Sequence, residues 1–325
     1  MTAPTVSVII PTYNRRDVLP NAAQSVLRQT YVDFELLVVD DGSSDGTDRV
    51  VAAFTDPRVR YHSRNHGGIA AAMNAGIAVA RGEYIARLDS DDEWLPHMLA
   101  TLVPALRERP AAGVVYARAQ ACDEHGTPLR GTKGEPPRYP NDSFRSMLYD
   151  DCTCNITVIA RRACFARAGG FDETMDVNED WDMWLRVAEF YPFVFVNDVV
   201  ARYRCHPGNI TRSVHRTAAL EGRVAVLDKL YARPVVPPTA QRMRSIAYRN
   251  VYLRAALMRW AGGDRAQALA NVRSAWRSSR KPCSAVGMFC WYLLSDRVLR
   301  RSRLGERFLV WQAAQRRRLR TRLER

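Results

Sequence analysis

Four carboxylates crowd into Asp89-Ser90-Asp91-Asp92-Glu93, directly behind the apolar run 84–88. Ionised acids at this spacing repel one another, and Asp is a poor strand residue. One account is a divalent cation with oxygen ligands, held by one or two carboxylates and by substrate phosphates. The ion would offset the repulsion and let a diphosphate approach an acidic surface. The other account is a cap by Asp92 on a helix opening at Trp94, which leaves Asp89 and Asp91 unexplained. Two more polar clusters follow apolar runs: Thr12-Tyr13-Asn14 and Asp40-Asp41-Gly42-Ser43. The second could be no more than an Asp-Gly turn, with Asp45 capping the next helix. Glu179-Asp180 opens a helical stretch, where an acid is favoured by the helix dipole.

The elements that must position these groups alternate. Strands are expected at 6–10, 34–39, 59–62 and 84–88, helices at 16–29, 45–54, 69–80 and 94–107, and extended chain at 113–119. This alternation predicts an α/β fold with a mostly parallel, Rossmann-like sheet flanked by helices. Ligands of such sheets sit beyond the carboxyl ends of the strands, so parallel strands would bring the three polar clusters to one edge. Segment 123–141, rich in Gly, Pro and charge, reads as a loop or hairpin. A strand at 156–160, a helix at 161–168, a helix from Glu179 and extended pieces at 193–196 and 199–203 follow. From about residue 217 the pattern is helical, with amphipathic stretches at 247–260, 265–278 and 307–322 and a turn at Gly262-Gly263-Asp264. The division expected is 1–212, an α/β catalytic domain, and 213–325, a basic C-terminal α-helical region.

The 325 residues carry a net charge of +14, unevenly spread. Residues 1–210 hold 22 Lys/Arg against 28 Asp/Glu, and residues 211–325 hold 26 against 6. Seven cysteines, an odd number without framework spacing, suggest reduced thiols, and Cys152 and Cys154 lack a second pair at zinc spacing. The opening MTAPTVSVIIPTYN does not resemble a leader, and the apolar run 284–295 is about half of a membrane span. A cytoplasmic chain is expected. The basic rear could meet nucleic acid, an anionic membrane or only solvent. No nucleic-acid motif appears and the acidic front would repel phosphate backbones. Arginine-rich helices bearing Trp291, Tyr292, Phe308 and Trp311 suit peripheral attachment to the cytoplasmic membrane face.

In order, VSVIIPTYNR, FELLVVDDGSSDGT, GEYIARLDSDDEW, GGFDE and NEDWDMWLR resemble the family 2 glycosyltransferases of the GT-A fold, over roughly residues 5–210. The resemblance implies an inverting, metal-dependent transferase. It would move a sugar from a nucleotide diphosphate sugar to a saccharide or lipid-linked saccharide hydroxyl in cell-surface polysaccharide synthesis. It places Pro11, Thr12, Tyr13 and Asn14 over the nucleoside base and Asp41 on the base imide, which favours UDP- or dTDP-sugars. Asn65 and Asn74 would lie near the nucleotide. Many relatives carry Arg before that last Asn, where this chain has Met73. Asp89 and Asp91 match the DxD motif and bind the donor; Asp91, Asp92 and His206 are the implied ligands of Mn²⁺ or Mg²⁺. Asp180 is the implied catalytic base, with Glu179, Trp181 and Asp151 as acceptor or sugar contacts. Trp181 and Trp184 equally suit core packing. Transfer to polyprenyl phosphate, or binding of a nucleotide sugar without catalysis, are the alternatives.

Overall fold

The computed structural model describes residues 3–206, 209 and 216–279; the expected helix at 307–322 and the basic runs beyond Ser279 lie outside them. Strands β1 (Val6–Thr12) and β2 (Phe34–Asp40) are buried along their whole lengths, as strands covered on both faces should be. Between them α1 (Leu19–Leu27) turns Leu19, Ala22, Ala23 and Val26 inward, the i, i+3, i+4, i+7 stripe of an amphipathic helix. The chain continues through α2 (Thr47–Ala52), β3 (Val59–Ser63), α3 (Ile69–Val79) and β4 (Tyr84–Arg87). β1 pairs in parallel with β2 and β4, and β2 with β3. The carboxyl ends of β1, β2 and β4 therefore lie side by side.

The expected helix at 94–107 is shorter than its pattern. Leu95 precedes Pro96, a position that disfavours helical backbone, and α4 spans Met98–Arg107. Glu93–Trp94 instead forms the short strand β5, and the Trp94 indole donates to the Ile156 carbonyl at 2.7 Å. Asp92 thus caps no helix at Trp94. Next come β6 (Val114–Cys122), β7 (Pro128–Lys133), α5 (Ser143–Tyr149), a 3-10 turn at Asn155–Thr157, β8 (Ile159–Arg161), α6 (Arg162–Ala168), α7 (Glu179–Ala188) and β9 (Phe193–Arg204). β7 pairs with β6 as a hairpin, so the segment 123–141 supplies its turn and second strand, while its first strand precedes that segment. The strand expected at 156–160 starts late because Thr157 closes the 3-10 turn, its N–H donating to the Cys154 carbonyl at 2.8 Å. Both extended pieces after α7 belong to β9, which pairs with β6 across a shift of register. The sheet order is β3-β2-β1-β4-β8-β6-β9-β5, with β8 antiparallel to both its neighbours.

The helices α8 (Arg216–Tyr231), α9 (Pro238–Ala261) and α10 (Arg265–Ser278) follow. The chain forms two compact units, Met1–Met243 and Arg244–Arg325, so α8 lies in the unit that holds the sheet although the sequence pattern changes before it. Lys229 on α8 pairs with Asp172 at 2.6 Å and with Asp182 on α7 at 3.0 Å. In the second unit Leu253, Ala256, Val272 and Ala275 form a small core, and Asp264 caps α10 by accepting from the Gln267 N–H at 3.2 Å. No helix among the described residues is long and apolar enough to cross a membrane.

Candidate active site

A cavity of about 520 Å³ opens beyond the carboxyl ends of β1, β2 and β4, a size suited to a small-molecule ligand. Pro11, Thr12, Tyr13, Asp41, Asp89, Asp91 and Asp92 line it, and so do Glu179 and Asp180 from the start of α7. The three strand-end clusters and the helix-initial acids thus share one space.

At the β2 corner, Asp41 is buried and its carboxylate is fully engaged. It accepts from the Gly67 N–H at 3.1 Å and the Gly68 N–H at 2.7 Å. The Arg64 guanidinium pairs with it as well, and His66 Nδ1 lies 2.8 Å from Oδ2. Gly42 makes this corner possible: its φ is +83°, and a Cβ there would meet the His66 nitrogen at 3.0 Å. The His66 ring stacks on Tyr13 at 4.1 Å between centroids. Asn14 fastens the first loop to the second, its Oδ1 accepting from the Ser44 N–H at 2.9 Å.

The acids behind β4 take separate partners. Asp89 accepts from Arg87 Nε at 2.7 Å. Asp92 is buried and accepts from the Arg204 backbone N–H at 2.7 Å; burial, then the charges of Asp89 and Asp91, raise its pKa well above the ordinary value. Asp91 turns instead to His206, with 2.8 Å between Oδ2 and Nε2. Among the described residues no three His, Cys, Asp or Glu side chains converge as a complete metal site. One carboxylate and one imidazole nevertheless form a donor pair that suits Mn²⁺, and phosphate oxygens commonly complete such a shell.

Across the cavity, Asn178 adopts a left-handed φ of +61° and starts α7. Glu179 is buried and lies 3.1 Å from Arg87 Nη1, so one buried guanidinium ties the β4 acids to the α7 acids. Burial opposes the charge on Arg87, but Asp89 and Glu179 outweigh it and hold the group protonated. Burial, then the neighbouring Asp180 charge, raises the pKa of Glu179 and likewise that of Asp151. Asp151 accepts from the Thr153 hydroxyl at 2.8 Å, and Arg223 from α8 lies 3.9 Å from it. Asp180 lines the cavity, its Oδ1 accepting from the Trp181 N–H at 2.7 Å.

Several residues singled out from the sequence lie elsewhere. Trp181 is 1% exposed; its indole donates to the Met147 carbonyl at 3.0 Å, so it packs in the core and faces no sugar. Trp184 is also buried, donating to Asn155 Oδ1 at 3.2 Å. Asn74 is a latch: it accepts from the Phe171 N–H at 2.8 Å and donates to the Phe171 carbonyl at 2.9 Å. Asn65 is exposed and, like Asn14, does not line the cavity. His206 is described, whereas Pro207, Gly208 and residues 210–215 are not. Sequence reasoning missed Arg15, Arg87, Lys133 and Arg223, all on the cavity wall. Two of them left a signal: Arg87 is a charge inside the apolar run 84–88, and Arg15 closes the motif VSVIIPTYNR.

Residues 7–167 match the family described as Glycosyl transferase family 2. The chain is 30% identical over 208 residues to a chondroitin synthase of Escherichia coli, a match covering 63% of this chain and 30% of that protein. It spans 34% of the length of the first curated relatives it matches. The structure of S. aureus TarS in complex with UDP-GlcNAc is similar, with a TM-score of 0.64, 19% identity, and coverage of 84% of this chain and 81% of that one. So is the mannosyltransferase PcManGT from Pyrobaculum calidifontis in complex with GDP-Man and Mn²⁺, with a TM-score of 0.62, 21% identity, and coverage of 96% and 85%. At these identities the two structures share a fold with this chain.

Proposed function

The chain belongs to glycosyl transferase family 2, and from that premise we propose that it is an inverting enzyme. It moves a sugar from a nucleoside diphosphate sugar to a hydroxyl of a saccharide or lipid-linked saccharide in polysaccharide synthesis. The observation that carries this reading is one cavity holding both Asp180 and Asp91, with His206 2.8 Å from the latter. Asp180 takes the proton of the acceptor hydroxyl as its oxygen attacks C1 of the donor sugar. The bond from C1 to the diphosphate oxygen breaks, the nucleoside diphosphate leaves, and the anomeric centre inverts. Asp91 and His206 would hold Mn²⁺ or Mg²⁺, which when bound offsets the charge of the departing diphosphate. Arg87 keeps Glu179 and Asp89 paired, so the wall around Asp180 stays fixed. UDP- and dTDP-sugars are the first donors to test, because a base imide N–H would donate to the Asp41 carboxylate.

Thermal shift against UDP-, dTDP- and GDP-sugars, with and without Mn²⁺ or Mg²⁺, tests this directly. One nucleotide class should stabilise the protein, and a chelator should abolish the effect. Asp180→Asn should keep that shift and lower turnover about 10²- to 10⁴-fold. Equal loss of binding and turnover would remove Asp180 from the role of base.

The basic rear supports attachment to an anionic bilayer on the cytoplasmic face, beside a lipid-linked acceptor. Sedimentation with phosphatidylserine vesicles at low salt, and release at high salt, is the expected outcome. Indifference to such vesicles would refute it.

A further inference from the structure

We propose that Arg15 is the side chain that grips the diphosphate of the donor. This rests on reading the cavity as a nucleotide-sugar site. Eight carboxylates line that cavity with only four Arg or Lys side chains, so few cations stand ready to receive a diphosphate. Two of the four cations are committed: Arg87 pairs with Asp89 and Glu179, and Arg223 with Asp150 at 3.3 Å. Lys133 lies 5.2 Å from the Tyr203 ring centroid and has no ion-pair partner among the described residues.

Arg15 differs from all three in where it stands. It borders the main cavity and also a smaller one of about 220 Å³, whose wall includes Asp91, Asp92, Arg204 and His206. The Asp91–His206 pair and Arg15 therefore face the same junction. Arg204, the other arginine there, is spent on Glu93 at 2.5 Å and on the Glu124 carbonyl at 2.6 Å. The Arg15 guanidinium has no hydrogen-bond or ion-pair partner among the described residues. Its main chain is fixed nonetheless, because its carbonyl accepts from the Val18 and Leu19 N–H groups at 3.1 and 3.0 Å as α1 begins. A held backbone carrying a free planar fork of donors, beside a wall of acids that it does not pair with, is built for an incoming anion. Guanidinium matches phosphate oxygens two at a time, and it stabilises the charge that grows there as the diphosphate leaves.

The test is calorimetric titration of the full chain at fixed Mn²⁺ with UDP, dTDP and GDP and with the matching monophosphates. The wild type should bind one diphosphate more tightly than its monophosphate. Arg15→Gln should weaken the diphosphate about ten- to a hundredfold and leave the monophosphate nearly unchanged. Arg15→Lys, which keeps charge without the fork, should recover part of the difference. Should Arg15→Gln keep the wild-type ratio, the assignment of Arg15 is overturned while the donor site stands. Should the wild type bind none of the six nucleotides, the donor-site reading falls, and the role of Arg15 falls with it.

Discussion

Arg87 is nearly sealed from solvent, its side chain 7% exposed, yet it faces two carboxylates on different elements, Asp89 behind β4 and Glu179 on α7. Removing one partner of a buried ion pair strands the other charges in a poor solvent. Arg87→Met should therefore destabilise the protein by about 3–5 kcal/mol, measurable by denaturant unfolding. Sequence pattern alone exposed the acids here but not their counterion. The acids stood out because they follow an apolar run; Arg87 stands out inside that run, but nothing in the pattern says which acids it meets. The same blindness hid Arg223, which the chain's composition assigns to a basic tail and the fold returns to the cavity. Trp181 went the other way. An indole beside Asp180 invites a sugar, but its N–H donates to the Met147 carbonyl inside the core.

At the scale of elements, strand ends were legible because β-branched runs of parallel strands are continuous and end abruptly in polar residues. Element starts and lengths were less so, since local chemistry trims them: Pro96 shortens α4, and Thr157 delays β8. Side-chain contacts between distant segments were not legible, although the meeting of strand ends was. Asn74, on α3, holds the loop ahead of α7 through Phe171 and a further bond to Glu173 at 2.8 Å. Asn74→Ala should cost about 1–3 kcal/mol of stability and leave nucleotide affinity near wild type, read by urea unfolding beside titration calorimetry. A large loss of nucleotide affinity without loss of stability would make Asn74 a ligand contact instead.

Taken as a whole, the first unit is closed by charge as well as by packing. Lys229 on α8 reaches Asp172 in the loop before α7, and that hydrogen bond, with another from Thr174, holds the Asp172 carboxyl well below its usual range. A depressed carboxyl stabilises the fold above the unfolded value of about 3.9, and this contribution disappears as pH falls through the lowered folded value. Lys229→Met should therefore be less stable than the wild type at pH 7, with the gap narrowing as the medium is acidified towards pH 2, followed by thermal unfolding across pH. The saturated carboxylate of Asp41 has a different consequence. Arg64, His66 and two main-chain amides already occupy it, so a nucleobase that claims this oxygen does so by exchange, releasing a partner for each bond it makes. On the proposed donor-site reading, recognition of the base at that corner then gains little, and the grip on a donor rests on its phosphates and sugar.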